Sequence, residues 1–181
     1  MADQLEGRGG AMNLNELIEC EEVNQMNRKE FIQKVGWVFE HTPWVASAAW
    51  EDIPFESREH LLQTMIDIVQ NAEESMQLAL LRAHPDLGTR MQMSEISQKE
   101  QAGAGLDQLT KEEYEEFVSL NQRYIQKFKF PFIMAVKGQS KESILASMKQ
   151  RIHNSYDEEH NIALLEVYKI AGFRLNGIFK D

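Results

Sequence analysis

The chain has one cysteine, Cys20, and four prolines in 181 residues. A lone thiol cannot close an internal disulfide, so a reducing compartment, and with it a cytoplasmic location, is the simpler expectation. Cys20 is flanked by Glu19, Glu21 and Glu22, whose charges oppose a thiolate, which makes it a poor nucleophile. No apolar run approaches the ~20 residues of a membrane-spanning helix. Met1 to Met12 lacks the apolar centre of a signal peptide and reads as a flexible leader, with its Gly7-Arg-Gly-Gly10 run, ahead of one domain over 13–181. Basic charge is scarce: 19 Lys and Arg stand against 29 Asp and Glu, for a net charge of −10. Nucleic acid and anionic membranes both need a basic footprint, so neither is expected as a partner.

Glycine-rich phosphate loops are missing too. Gly103-Ala-Gly105 is too short and has no strand before it. His84-x-Asp86 and Asp157-x-x-His160 offer metal-ligand types, but three close ligands never gather, so no metal is expected. Strand-like alternation is nearly absent, and the one β-leaning run is Phe130 to Val136.

What remains is helical periodicity. The spacing predicts helices near 14–22, 28–40, 43–50, 57–70, 73–84, 97–104, 110–128, 140–153 and 157–178, hence a single all-α domain. Ser57 precedes the apolar series Leu61, Leu62, Met65, Ile66 and Val69, and Thr110-x-x-Glu113 is a capping box. The 110–128 segment carries the stripe Tyr114, Phe117, Val118, Asn121, Tyr124, Ile125 and Phe128. The last helix carries Ala163, Val167, Ile170 and Ile178, with Arg174 in line. Trp37, Trp44 and Trp50 lie in helical stretches and read as core or interface.

The polar residues that interrupt this pattern are the candidates for chemistry. Pro85 cannot continue a helix and disfavours α geometry at the residue before it, so His84 stands at a helix-to-loop corner. Imidazole transfers protons near neutral pH, but a histidine there also suits a helix C-terminal dipole. Asp86 can bind it or order the turn. Ser97-x-x-Glu100 is a capping box by pattern, or the rim of a helix N-terminus offering N–H groups to an anion, with Gln101 beside it. Asn121 and Arg174 on apolar stripes imply internal pairing or a cleft, and Arg174 can grip a carboxylate with two hydrogen bonds. These residues leave open an acid–base enzyme, a helical interaction module without catalysis and a metal-dependent hydrolase.

Five short motifs occur in order: Ala83-His-Pro-Asp-Leu-Gly88, Ser97-x-x-Glu-Gln101, Leu120-Asn-x-x-Tyr124, Lys127-Phe-x-Phe-Pro-Phe132 and Ile170-Ala-x-x-Arg-Leu175. Together they resemble the 2-oxo-4-hydroxy-4-carboxy-5-ureidoimidazoline (OHCU) decarboxylases, from about Leu14 to Phe179. In some bacilli a similar domain is fused to a urate oxidase. The resemblance implies an all-α fold, usually a homodimer, acting without metal or organic cofactor. The implied reaction is the last step from urate to (S)-allantoin, possible without an organic electron sink because conjugated ring atoms adjoin the departing carboxylate. It implies His84 as catalytic acid–base and Glu100 as the second catalytic group. Pro85, Ser97, Gln98, Lys99 and Gln101 would border or bind the substrate. Phe132, Ile133, Met134, Ala135 and Val136 would offer backbone groups, and Arg174 would hold an anionic part.

Overall fold

The computed structural model describes residues 16–85, 105 and 109–180. Within them run helices α1 (Cys20–Asn24), α2 (Arg28–Val35), α3 (Pro43–Ala49), α4 (Arg58–Gln70), α5 (Glu74–Ala83), α6 (Lys111–Phe128), α7 (Lys141–Arg151) and α8 (Tyr156–Asn176). Two 3-10 turns, Gly36–Phe39 and Trp50–Asp52, follow α2 and α3. The chain is all-α: among the described residues, strand-like pairing amounts to one isolated parallel bridge, Ile18 to Phe179.

The helix starts follow local chemistry. Ser57 accepts a hydrogen bond from the His60 N–H at the head of α4. Asn27, Thr110 and Ser155 close reciprocal capping boxes on α2, α6 and α8 with Glu30, Glu113 and Glu158, each satisfying N–H groups that a helix start leaves bare. α6 stops at Lys129, whose φ of 65° is a left-handed cap.

Three expectations are revised. The segment expected to be helical over 14–22 is extended at Ile18, which donates its N–H to the Ile178 carbonyl at 2.9 Å and accepts from the Lys180 N–H at 2.9 Å; helix begins only at Cys20. The 28–40 helix tightens to a 3-10 turn after Val35, where Trp37, Val38 and Phe39 must all turn toward the core. The β-leaning run around 131–136 forms no ladder; it is extended chain laid against helices. The helix expected over 97–104 lies outside the described residues.

α8 is the central element. Glu159, His160, Ala163, Leu164, Val167, Tyr168, Ile170, Ala171, Arg174 and Leu175 are all buried and cover one half of its circumference. Asn161, Leu165, Lys169 and Phe173 on the other half are exposed, so the helix lays one broad face on the bundle. It packs against α4, α5, α6 and the Gly36–Phe39 turn. Gly172 permits the close crossing with α4: a Cβ there would lie 3.3 Å from Leu62 Cδ2. The other elements converge on this axis with the fully buried Phe31, Val35, Phe39, Leu61, Met65, Leu80 and Leu81.

Candidate active site

His84 caps α5. Its N–H reaches the Leu81 carbonyl at 3.3 Å, and its backbone is extended at φ −70°, ψ 138°, as Pro85 requires. Its side chain is buried, and neither ring nitrogen has a hydrogen-bond partner among the described residues. Buried polar atoms in native proteins are nearly always paired, so two orphan nitrogens on one ring mark a site rather than a helix cap. Burial, and next the Arg174 guanidinium, lower the imidazole from its usual 6.5 to about 4. The Glu40 carboxylate pulls the other way, and His41 adds a smaller push down. At neutral pH His84 is therefore an uncharged imidazole, with one nitrogen able to accept and the other to donate.

Arg174, on α8, is the charged group with the largest effect on that imidazole. Its Nη1 lies 2.6 Å from Glu40 Oε2, with both side chains almost wholly enclosed at 3% and 4% exposure. Nη1 also lies 3.5 Å from the Val38 carbonyl, and the guanidinium carbon sits 6.0 Å from the Trp37 ring centre. The polar residue on the last apolar stripe is thus paired internally, as one of its two sequence readings had it. Its charge also acts on the corner histidine.

The 132–136 segment is the next stretch that the sequence singled out. Phe132, Ile133, Ala135 and Val136 are buried and Met134 is half-buried. Arg151 Nη1 donates to the Ile133 carbonyl at 2.8 Å, and Glu166 Oε2 accepts from the Ala135 N–H at 2.7 Å. Those two backbone groups are committed to the protein. Glu166 lies on α8 about two turns before Arg174, so one helix supports both the segment and the guanidinium.

A second buried cluster underlies the segment. Glu159 accepts from Arg151 Nε at 2.8 Å, from Asn154 Nδ2 at 2.9 Å and from the Tyr124 hydroxyl. Burial and the Glu159 carboxylate push the Tyr124 hydroxyl well above its ordinary range, so it stays a proton donor. The Arg151 guanidinium stacks 4.3 Å over the Phe132 ring.

Pro85 is half-buried next to the corner. Glu100, Ser97, Gln98, Lys99 and Gln101 lie outside the described residues, as does Asp86. Asn121 is buried with Oδ1 unpartnered. The sequence reading missed Glu40, Arg151, Glu159 and Glu166. An acid just before Thr42-Pro43, with Val38 and Phe39 behind it, was the available signal for Glu40. Cys20 behaves as expected: burial and the Glu21 charge raise its thiol. Among the described residues no group of three His, Cys, Asp or Glu could hold a metal ion, and no helix is long and apolar enough to cross a membrane. The buried Arg174–Glu40 pair and the unpartnered His84 nitrogens are not what a purely apolar interaction module would need.

The family model for OHCU decarboxylase matches residues 24–176. The chain belongs to the OHCU decarboxylase family. Over 158 residues this family member is 49% identical to the 2-oxo-4-hydroxy-4-carboxy-5-ureidoimidazoline decarboxylase of Halalkalicoccus jeotgali, covering 87% of this chain and 90% of that protein. It is 42% identical over 165 residues to the uric acid degradation bifunctional protein of Bacillus sp. (strain TB-90), covering 91% of this chain but 33% of that protein. Among solved structures, (S)-allantoin synthase superposes with a TM-score of 0.76 at 30% identity, over 90% of this chain and 54% of that one. An OHCU decarboxylase crystallised in the presence of (S)-allantoin gives 0.65 at 26% identity, over 76% of this chain and 92% of that one.

Proposed function

We propose that the chain converts 2-oxo-4-hydroxy-4-carboxy-5-ureidoimidazoline to (S)-allantoin and carbon dioxide without a cofactor, closing the degradation of urate to allantoin. Family membership supports the reaction. The observation that carries the chemistry is His84: a buried, uncharged imidazole with both nitrogens unpartnered, beside a buried Arg174–Glu40 pair.

A neutral imidazole can begin only by accepting a proton, which makes His84 the base toward the substrate hydroxyl. The electrons of the breaking C–CO2 bond pass into the adjoining conjugated ring nitrogen, which takes a proton from solvent. As the hydroxyl becomes a carbonyl, its proton rests on His84. An imidazolium held near pKa 4 is a willing donor and returns that proton to the ring carbon bearing the ureido group. Delivery by a single fixed imidazole is to one face, so the product is one enantiomer. Arg174 would hold an anionic part of the substrate, and the uncommitted backbone groups of Phe132 to Val136 would meet its amides. Glu100 is assigned the second catalytic role and Pro85, Ser97, Gln98, Lys99 and Gln101 the substrate border, all on the strength of the family motifs. The same resemblance supports a homodimer coupled to, or fused with, a urate oxidase, and the lone cysteine supports a cytoplasmic location.

The test uses substrate generated freshly from urate. Spontaneous decay gives racemic allantoin, and this chain is expected to give excess (S)-allantoin by optical rotation. A racemic product from the wild-type chain would sink the assignment.

A further inference from the structure

The corner that delivers Glu40 is built against backbone preference. Glu40 has φ 52° and ψ −133°, a left-handed conformation that favours glycine and that side-chain-bearing residues hold only when their surroundings enforce it. The surroundings here do so. Val38 and Phe39 are fully buried before it. The Glu40 N–H reaches the Trp37 carbonyl at 2.9 Å. The Thr42 hydroxyl donates to the Phe39 carbonyl, and Pro43 starts α3 immediately after. A carboxylate so placed is also taken out of water, at 4% exposure, which is costly even for a paired charge. A glycine at 40 would relieve the backbone, and an apolar pair would fill the space without burying charge. Neither alternative is used. Strain of this kind concentrates at functional sites.

The carboxylate's location says what the arrangement serves. Charged and titratable groups acting on His84 are Arg174, from α8, and Glu40 and His41, from the corner. Arg174 is a buried cation whose charge lowers the imidazole. Glu40 neutralises it and pins Nη1 at 2.6 Å, while Trp37 lies at 6.0 Å from the guanidinium. We propose that Glu40 is a positioning residue: its carboxylate, held on a strained corner, fixes the Arg174 guanidinium beside His84. The role acts through Arg174 and involves no contact with substrate. It rests on the reading of His84 and Arg174 as the decarboxylase site.

The experiment is a double-mutant cycle in the full chain, with Glu40→Gln, Arg174→Gln and both together, read by kcat and KM on fresh substrate and by NMR titration of His84. Glu40→Gln is expected to lower kcat/KM at least tenfold, chiefly through KM. In the Arg174→Gln background the same change is expected to cost less than threefold, because residues acting as a unit are non-additive. The His84 titration should move to lower pH in Glu40→Gln, where an anion is lost, and to higher pH in Arg174→Gln. Full additivity, or a His84 titration unmoved by Glu40→Gln, overturns the proposal. If Glu40→Gln alone does not fold, the double variant removes both charges of the pair together, and its comparison with Arg174→Gln decides: equal activity supports the role and a further tenfold loss overturns it. A wild-type chain that yields racemic allantoin defeats the decarboxylase reading, while the NMR titrations still judge Glu40.

Discussion

Two arginine–glutamate pairs are buried among the described residues, and they differ in what surrounds them. In Arg151–Glu159 the carboxylate is fully enclosed and accepts from arginine, asparagine and tyrosine, while the arginine also donates to a backbone carbonyl. Arg174–Glu40 is equally enclosed, and its charges act on an imidazole with no hydrogen-bond partner on either nitrogen. The first pair is tied into a network of protein donors, and the second stands next to a titratable ring that has none. Burial of an ion pair therefore does not by itself identify an active site.

The contrast can be broken from either side. The largest effect is expected at the histidine: His84→Ala should lower kcat/KM by about 10²–10⁴-fold, the usual worth of a positioned acid–base. It should destabilise the fold less than loss of Arg151, since no hydrogen bond of the imidazole is given up. Full activity in His84→Ala would end its role. At the Arg151–Glu159 pair, Arg151→Ala should cost about 3–5 kcal/mol of unfolding free energy in urea titration, because Glu159 is left charged and enclosed. A loss below about 1 kcal/mol would mean that the Tyr124 and Asn154 contacts suffice.

Acid sharpens the comparison further. His84 binds its proton near pH 4 when folded and near 6.5 when unfolded. Between those values the unfolded chain takes up a proton that the folded chain refuses. Stability is whole above 6.5 and drains as pH falls toward 4, by up to about 1.4 kcal/mol per pH unit. His84→Gln should flatten that slope; an unchanged slope would show that the imidazole is not held neutral. The smallest effect belongs to an exposed control: Lys149–Glu116, with side chains 52% and 42% exposed. Lys149→Ala should change the unfolding free energy by about 0–1 kcal/mol, and a larger loss would mean that burial is not what separates these pairs.

Much of the scaffold was legible because its causes are local. Ser57 and Thr110 cap where hydroxyl and N–H geometry require, Pro85 ends α5, and the α6 and α8 stripes bury Phe117, Tyr124, Val167 and Ile170. Arg174 stood out because a cation on an apolar stripe needs an answer. The answer, Glu40, was not legible. It is 134 residues away in sequence, and its position depends on a 3-10 turn and a left-handed backbone that the Glu-rich composition conceals. Ile18 was misplaced in a helix because its pairing with the chain's far end leaves no periodic trace. Glu166 was passed over because its partner, the Ala135 N–H, lies 31 residues away in sequence.

α8 carries Glu159, Glu166 and Arg174, and so it works as a ruler. Fifteen residues separate the first from the last, which sets them about 22 Å apart along the axis and about 60° apart around it. Inserting a single residue between them would rotate one end by about 100° relative to the other and take the guanidinium off its corner while the lower network stayed whole. Length in this helix is thus as constrained as the identity of any side chain on it. Variation in size among similar proteins should accumulate in the connections and spare the span from Glu159 to Arg174.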